Sequence, residues 1–389
     1  MLCIKGMLRY ELRKSQVVSP SRLNQNGNAS CASFMRRYSD LGDRLVFNLG
    51  PFRATLILAV LIASILYGLA VCRPIPNLAG SQTNGKDLKC YQAIVARIQA
   101  GENYYSAAGY ELRRMGYTTA SVFNWRLPLL AWFLGNLPTP QIGQVIAFIL
   151  AATTLYLWLK LFQLNSYTSI QIIFSGLFLA GPLIYSVIPG PFLMHEFWAG
   201  ILIVLSLAIY AHDWSHTSAL VGLTALFVRE LALPFVLVML ILAFIEGKRR
   251  EVLIWLSGIA VFSVEFFIHW STVTKLITAS DKVLKGGWVA FGGWPFVLNT
   301  TQMHPFLMLA PVWLAAVVVP LALLGLIGQR NPWGTRIACT VGVYMLVFGI
   351  VGRSFNAYWG LMYAFLMPIG FLHAPNTLKE LWKRSKRCF

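Results

Sequence analysis

The sequence predicts an all-α fold, a polytopic membrane protein of about ten transmembrane helices with amphipathic helices in its first outer loop. Three observations lead there. Of 389 residues, 57% are hydrophobic and only 12% charged, whereas soluble domains carry roughly 25% charged residues. Long apolar runs recur from residue 54 to residue 373, and a run of about 18 or more apolar residues reads as a membrane span. The basic residues cluster just outside those runs, as cytoplasmic flanks do.

Taken in order, spans are expected at about 54–72, 140–160, 167–188, 195–211, 216–228, 231–246, 252–270, 306–328, 337–352 and 357–373. The segment 1–53 has no apolar core of a signal peptide and reads as a basic cytoplasmic tail, and 376–389 reads as a second one. Between them lies a transmembrane domain, 54–375, with outer loops at 73–139 and 271–305. With the first tail inside, inner segments hold 20 of the 32 Lys and Arg residues and outer segments 12. That bias puts both termini on the cytoplasmic side of a cell (plasma or inner) membrane. A formal charge of +18 first suggests a nucleic-acid partner, but its placement on span flanks points instead to membrane lipids and to no nucleic acid.

Residues 216–246 decide the count. One long span there would leave nine crossings and place Lys248, Arg249 and Arg250 outside. Two short helices meeting at Arg229-Glu230 keep every basic cluster inside. Each is too short to cross about 30 Å at 1.5 Å per residue. The turn then lies below the outer surface, where non-helical backbone is tolerated only against protein or a wet cavity.

In the first outer loop, Leu88, Tyr91, Ile94, Val95 and Ile98 repeat at helical spacing and Gly101 stops the pattern. An amphipathic helix 88–100 is expected to lie at the membrane interface, and residues 127–137 suggest a second interfacial piece. The polar residues fall on the same outer side: Asp87, Arg126, His195, Glu196, Arg229, Glu230, Glu265, His269 and Arg353. Ionisable residues near or within spans are costly and suggest function. Asp87 reads as the N-cap of the helix, as a general base, or as both. Arg229-Glu230 reads as an ion pair closing the hairpin or as a phosphate site using the planar guanidinium fork. His195-Glu196 opens a span, where Glu196 suits a helix N-terminus. Arg353 reads as a snorkelling side chain or a ligand contact, and Tyr358 and Trp359 as interfacial belt aromatics or sugar platforms. Six scattered cysteines and the lone Glu265/His269 pair are too few and too dispersed for a metal site, and no cofactor is indicated.

Three segments resemble the GT-C superfamily of polyprenyl-phosphate-sugar-dependent glycosyltransferases, nearest the bacterial integral membrane mannosyltransferases. These are Asp87-x3-Tyr91 followed by Gly101-Glu102-Asn103-Tyr104-Tyr105, the Arg229-Glu230 pair after a short span, and Gly352-Arg353…Asn356-x-Tyr358-Trp359-Gly360 before the last span. The loop has no Asp-x-Asp or Glu-x-Asp pair, which argues against the metal-using oligosaccharyltransferase branch. The resemblance implies an inverting transfer of a hexose, mannose by preference, from a polyprenyl-phosphate donor to a lipid or glycan acceptor at the outer face. Asp87 would be the base, with Arg126, His195, Glu196, Arg229, Glu230, Arg353, Asn356 and Tyr358 at the substrate. A transporter or lipid flippase is the alternative.

Overall fold

The computed structural model describes residues 50–71 and 82–386, apart from 166, 285, 288 and 330. The expected tail up to residue 49 and the loop at 72–81 lie outside the described residues. Among the described residues, all regular structure is helical. The helices are α1 (Pro51–Val71), α2 (Gln82–Gln99), α3 (Tyr104–Arg114), α4 (Pro128–Gly135), α5 (Gln141–Leu164), α6 (Ser169–Leu179), α7 (Gly181–Val187) and α8 (His195–Ala211). They continue as α9 (Ser215–Val228), α10 (Leu233–Ile245), α11 (Arg249–Leu276), α12 (Gly293–Thr301), α13 (Pro305–Leu309), α14 (Val312–Ile327), α15 (Pro332–Ile350) and α16 (Met367–Ser385). Tight 3₁₀ turns fill Glu230–Ala232 and Ser354–Leu366 around Tyr363.

Among the described residues, five helical stretches are long and apolar enough to cross a membrane: Pro51–Val71, Gln141–Leu164, Ser169–Val187, Arg249–Leu276 and Pro332–Ile350. A sixth arises if Ser354–Met362 and Ala364–Ser385, bent by 48°, count as one span. Their surfaces show what surrounds them. Leu66 on α1, Ile170 on α6 and Phe267 on α11 are 61%, 81% and 70% exposed. Apolar side chains laid open along whole helices are stable in lipid and not in water. The protein is therefore membrane-embedded.

α8 forms the centre, with every residue from His195 to Tyr210 buried. It packs on α5, α9 and the 3₁₀ segment after Arg353. Small residues set the close approaches, as expected where lipid removes the hydrophobic drive between helices. A Cβ on Gly200 would stand 2.2 Å from the Leu361 carbonyl oxygen, and one on Gly370 2.2 Å from that of Ala322. Away from these contacts, the connection from α10 to α11 carries a buried ion cluster. Arg336 of α15 donates to both Glu246 oxygens at 2.6 and 2.8 Å and lies 3.9 Å over the Tyr210 ring. Lys248 joins at 2.9 Å from Glu246.

Several expected boundaries move. α2 begins at Gln82, so Asp87 sits in its second turn and is not an N-cap. The apolar face of α2 is covered by α3 and α4 rather than by lipid. The run 306–328 divides at Pro311 into α13 and α14. The run 357–373 starts as 3₁₀ turns, because the chain bends before α16, and α16 carries helix through the expected tail to Ser385. The loop 271–305 shortens, since α11 extends to Leu276 and α12 occupies Gly293–Thr301. The helix break expected at Arg229 is present: α9 ends at Val228, Arg229 is extended (φ −151°, ψ 118°), and α10 starts at Leu233.

Candidate functional site

The break between α9 and α10 opens onto a cavity of about 450 Å³, within the range of small-ligand sites, roughly 300–1,000 Å³. α2 contributes Lys86, Asp87, Cys90 and Tyr91 to its wall; the α9–α10 turn contributes Arg229 and Glu230. Tyr117 and Arg126 come from the stretch between α3 and α4, and Asn356, Tyr358 and Trp359 from the 3₁₀ segment. Six of the nine residues singled out in the sequence thus meet in one cavity: Asp87, Arg126, Arg229, Glu230, Asn356 and Tyr358.

Arg126 is held from several sides. Its Nε donates to the Tyr91 hydroxyl at 3.2 Å, Nη1 to the Phe123 carbonyl at 3.0 Å and Nη2 to the Tyr358 hydroxyl at 3.0 Å. The Tyr104 hydroxyl donates to the Arg126 carbonyl oxygen, so the Gly-x-x-Tyr element supports the arginine's backbone. Arg229, itself 2% exposed, pairs through Nη1 with Glu230 and through Nε with Glu196 at 2.8 Å. The Glu196 contact is an ion pair whose angle is not that of a hydrogen bond, for neither Glu196 oxygen has a hydrogen-bond partner. The same Glu196 oxygen lies 3.8 Å from Arg126. One buried carboxylate therefore backs two guanidiniums that line the cavity.

Three of the nine stand apart. Glu196 has no exposed side-chain surface and lies behind the arginines. His195 packs edge-on against Tyr91, ring centroids 5.5 Å apart, and lines a smaller recess with Arg126. Arg353 leaves the cavity and donates to the Gly286 carbonyl at 2.7 Å. Tyr358 and Trp359 are buried, not belt aromatics. Glu265 and His269 do not bond to each other; His269 joins the Tyr105 hydroxyl at 3.2 Å and the Trp125 carbonyl at 3.1 Å. Among the described residues, no three His, Cys, Asp or Glu side chains group as metal ligands.

Asp87 receives a hydrogen bond from the Tyr117 hydroxyl. Burial pushes the Asp87 carboxyl above the usual carboxylate range, tempered by Tyr117, Arg126 and Lys86. Such a shift brings a carboxylate closer to working pH, as general-base chemistry favours. The stretch carrying Tyr117 is pinned by Asp281, which accepts from Arg113 Nε and Nη2 at 2.8 and 2.9 Å and from the Thr119 hydroxyl at 2.6 Å. Those bonds, Arg113's first, hold Asp281 well below the ordinary carboxylate range. Sequence reading missed Tyr117, which sits in a Gly-Tyr-Thr-Thr stretch with no periodic signal, and Asp281, whose partners come from 168 residues away.

Compared with known protein families, with curated proteins and with solved structures, the chain matches none.

Proposed function

We propose that this protein is an inverting glycosyltransferase of the GT-C kind, moving a hexose from a polyprenyl-phosphate donor to a lipid or glycan acceptor at the outer face of a cell membrane. The observation that carries the reading is the meeting of a carboxylate, Asp87, with two guanidiniums, Arg126 and Arg229, in one cavity. Inverting transfer needs those two devices. Asp87 takes the acceptor's hydroxyl proton while that oxygen attacks C1, and the fixed cations receive the charge that develops on the departing phosphate. Arg suits phosphate through its planar fork. Tyr358 steadies Arg126, and Asn356 lies beside it on the cavity wall.

Ten spans fit this reading. The six candidate spans are joined by four shorter apolar helices, His195–Ala211, Ser215–Val228, Glu230–Ile245 and Val312–Ile327. The alternative, a transporter or lipid flippase, calls for charges reachable from both sides. The charges at the far end of α10 are instead locked together around a fully buried Arg336.

The test uses purified protein in liposomes with radiolabelled polyprenyl-phosphate hexoses and lipid or glycan acceptors. Label should pass from a polyprenyl-phosphate mannose to an acceptor without metal or cofactor. Movement of intact donor across the bilayer, with no transfer, would establish the flippase instead.

A further inference from the structure

Resting on the glycosyltransferase reading, we infer that Tyr117 is the positioning residue for the base, fixing one oxygen of Asp87 so that the other takes the acceptor's proton. The hydroxyl of Tyr117 donates to Asp87 Oδ1, and both side chains line the cavity. A carboxylate free to rotate presents its two oxygens interchangeably, and a hydrogen bond on one of them selects the other for the reaction. The tyrosine is itself fixed: the Lys86 ammonium lies 4.7 Å from its ring centroid, on the face of the ring. Lys86 and Asp87 are neighbours on α2, so the helix holds both the base and the cation that clamps the base's partner.

The step balances. Asp87 Oδ2 accepts the proton as the acceptor oxygen forms its bond to C1 of the hexose. The bond from C1 to the phosphate oxygen breaks, and its electron pair stays on the polyprenyl phosphate. Asp87 then gives its proton to water in the cavity. Tyr117 keeps its own proton throughout, because burial and the Asp87 charge push its phenol far above the ordinary range. It is a donor only.

The groups facing Asp87 are Lys86, Cys90 and Tyr91 from its own helix, Tyr117 and Arg126 from the connection to α4, Glu196 from α8 and Tyr358 from the 3₁₀ segment. Of these, Tyr117 is the one that hydrogen-bonds it. A hydrogen bond to an ionised partner favours the charged form, so its loss moves the Asp87 titration upward, by about one pH unit for a charge-assisted bond of ordinary strength.

The experiment compares the parent with Tyr117→Phe and with 3,5-difluorotyrosine at position 117, a stronger donor. Two quantities are followed: the acid limb of kcat/KM for sugar transfer, and the infrared carboxyl band absent from Asp87→Asn, titrated in the full-length protein without substrate. Both midpoints should rise in Tyr117→Phe and fall with the fluorinated residue, while KM for the donor changes little. A lower melting temperature with both midpoints unmoved would overturn the role of Tyr117 and leave the glycosyltransferase reading intact. An infrared shift in a protein that transfers no sugar would overturn that reading and the base role together.

Discussion

At the scale of single residues, Asp87 carries the sharpest expectation. Asparagine keeps the shape of its side chain and an oxygen for the Tyr117 hydroxyl, but it takes no proton. Sugar transfer by Asp87→Asn should therefore fall by roughly 10² or more, the lower end of a positioned base's contribution, with the fold retained. The pH dependence has a definite sign. The folded-state pKa of Asp87 is raised, so the stability linked to its proton is present below the unfolded value and is lost as pH rises through the folded one. Melting temperatures of parent and variant, compared across that range, should diverge in favour of asparagine as pH rises. Normal transfer by a well-folded variant would remove Asp87 from the site. The sequence pointed to Asp87 for two reasons, and one failed. The cap reading placed the helix start at Leu88, but the helix runs from Gln82 through Gly85, although glycine in a helix interior costs about 1 kcal/mol. Packing outweighs that cost here: Cys90, Ile94, Val95 and Ile98 are all buried.

At the scale of elements, the α9–α10 break was legible because a charge pattern and a length limit agreed on Arg229, whereas the division at Pro311 and the 3₁₀ turns after Arg353 left no periodic mark in an apolar run. The far end of α10 was not legible at all. No local pattern joins Glu246, Glu251 and Arg336, and the Arg336–Glu246 pairing spans 90 residues. With Arg336 fully buried and Glu246 at 6% exposure, removing one partner strands the other. Arg336→Met should destabilise the protein by about 3–5 kcal/mol, while replacing the pair by Arg336→Met with Glu246→Leu should recover much of the loss. Unfolding monitored in detergent or bicelles checks this, and equal losses for the single and double replacements would show that the pair is not the unit of stability.

At the scale of the whole molecule, the charge bias puts Lys89 outside and Lys383 inside. Both side chains are exposed, so cysteines placed there, in a background lacking the native ones, report the topology directly. An impermeant thiol reagent added to intact cells should label Lys89→Cys and spare Lys383→Cys; labelling of both would break the ten-span arrangement. α1 buries only Ala54 and Gly68, and its main neighbours are α12, α14 and α16. α1 thus leaves the ribosome more than 200 residues ahead of its partners. At roughly 5–20 residues per second of synthesis, it waits on the order of ten seconds or longer in the bilayer. An isolated helix with internally satisfied backbone tolerates that wait. Leu381 of α16, fully buried against Ala54 and Leu324, is then a late latch that closes the packing around α1.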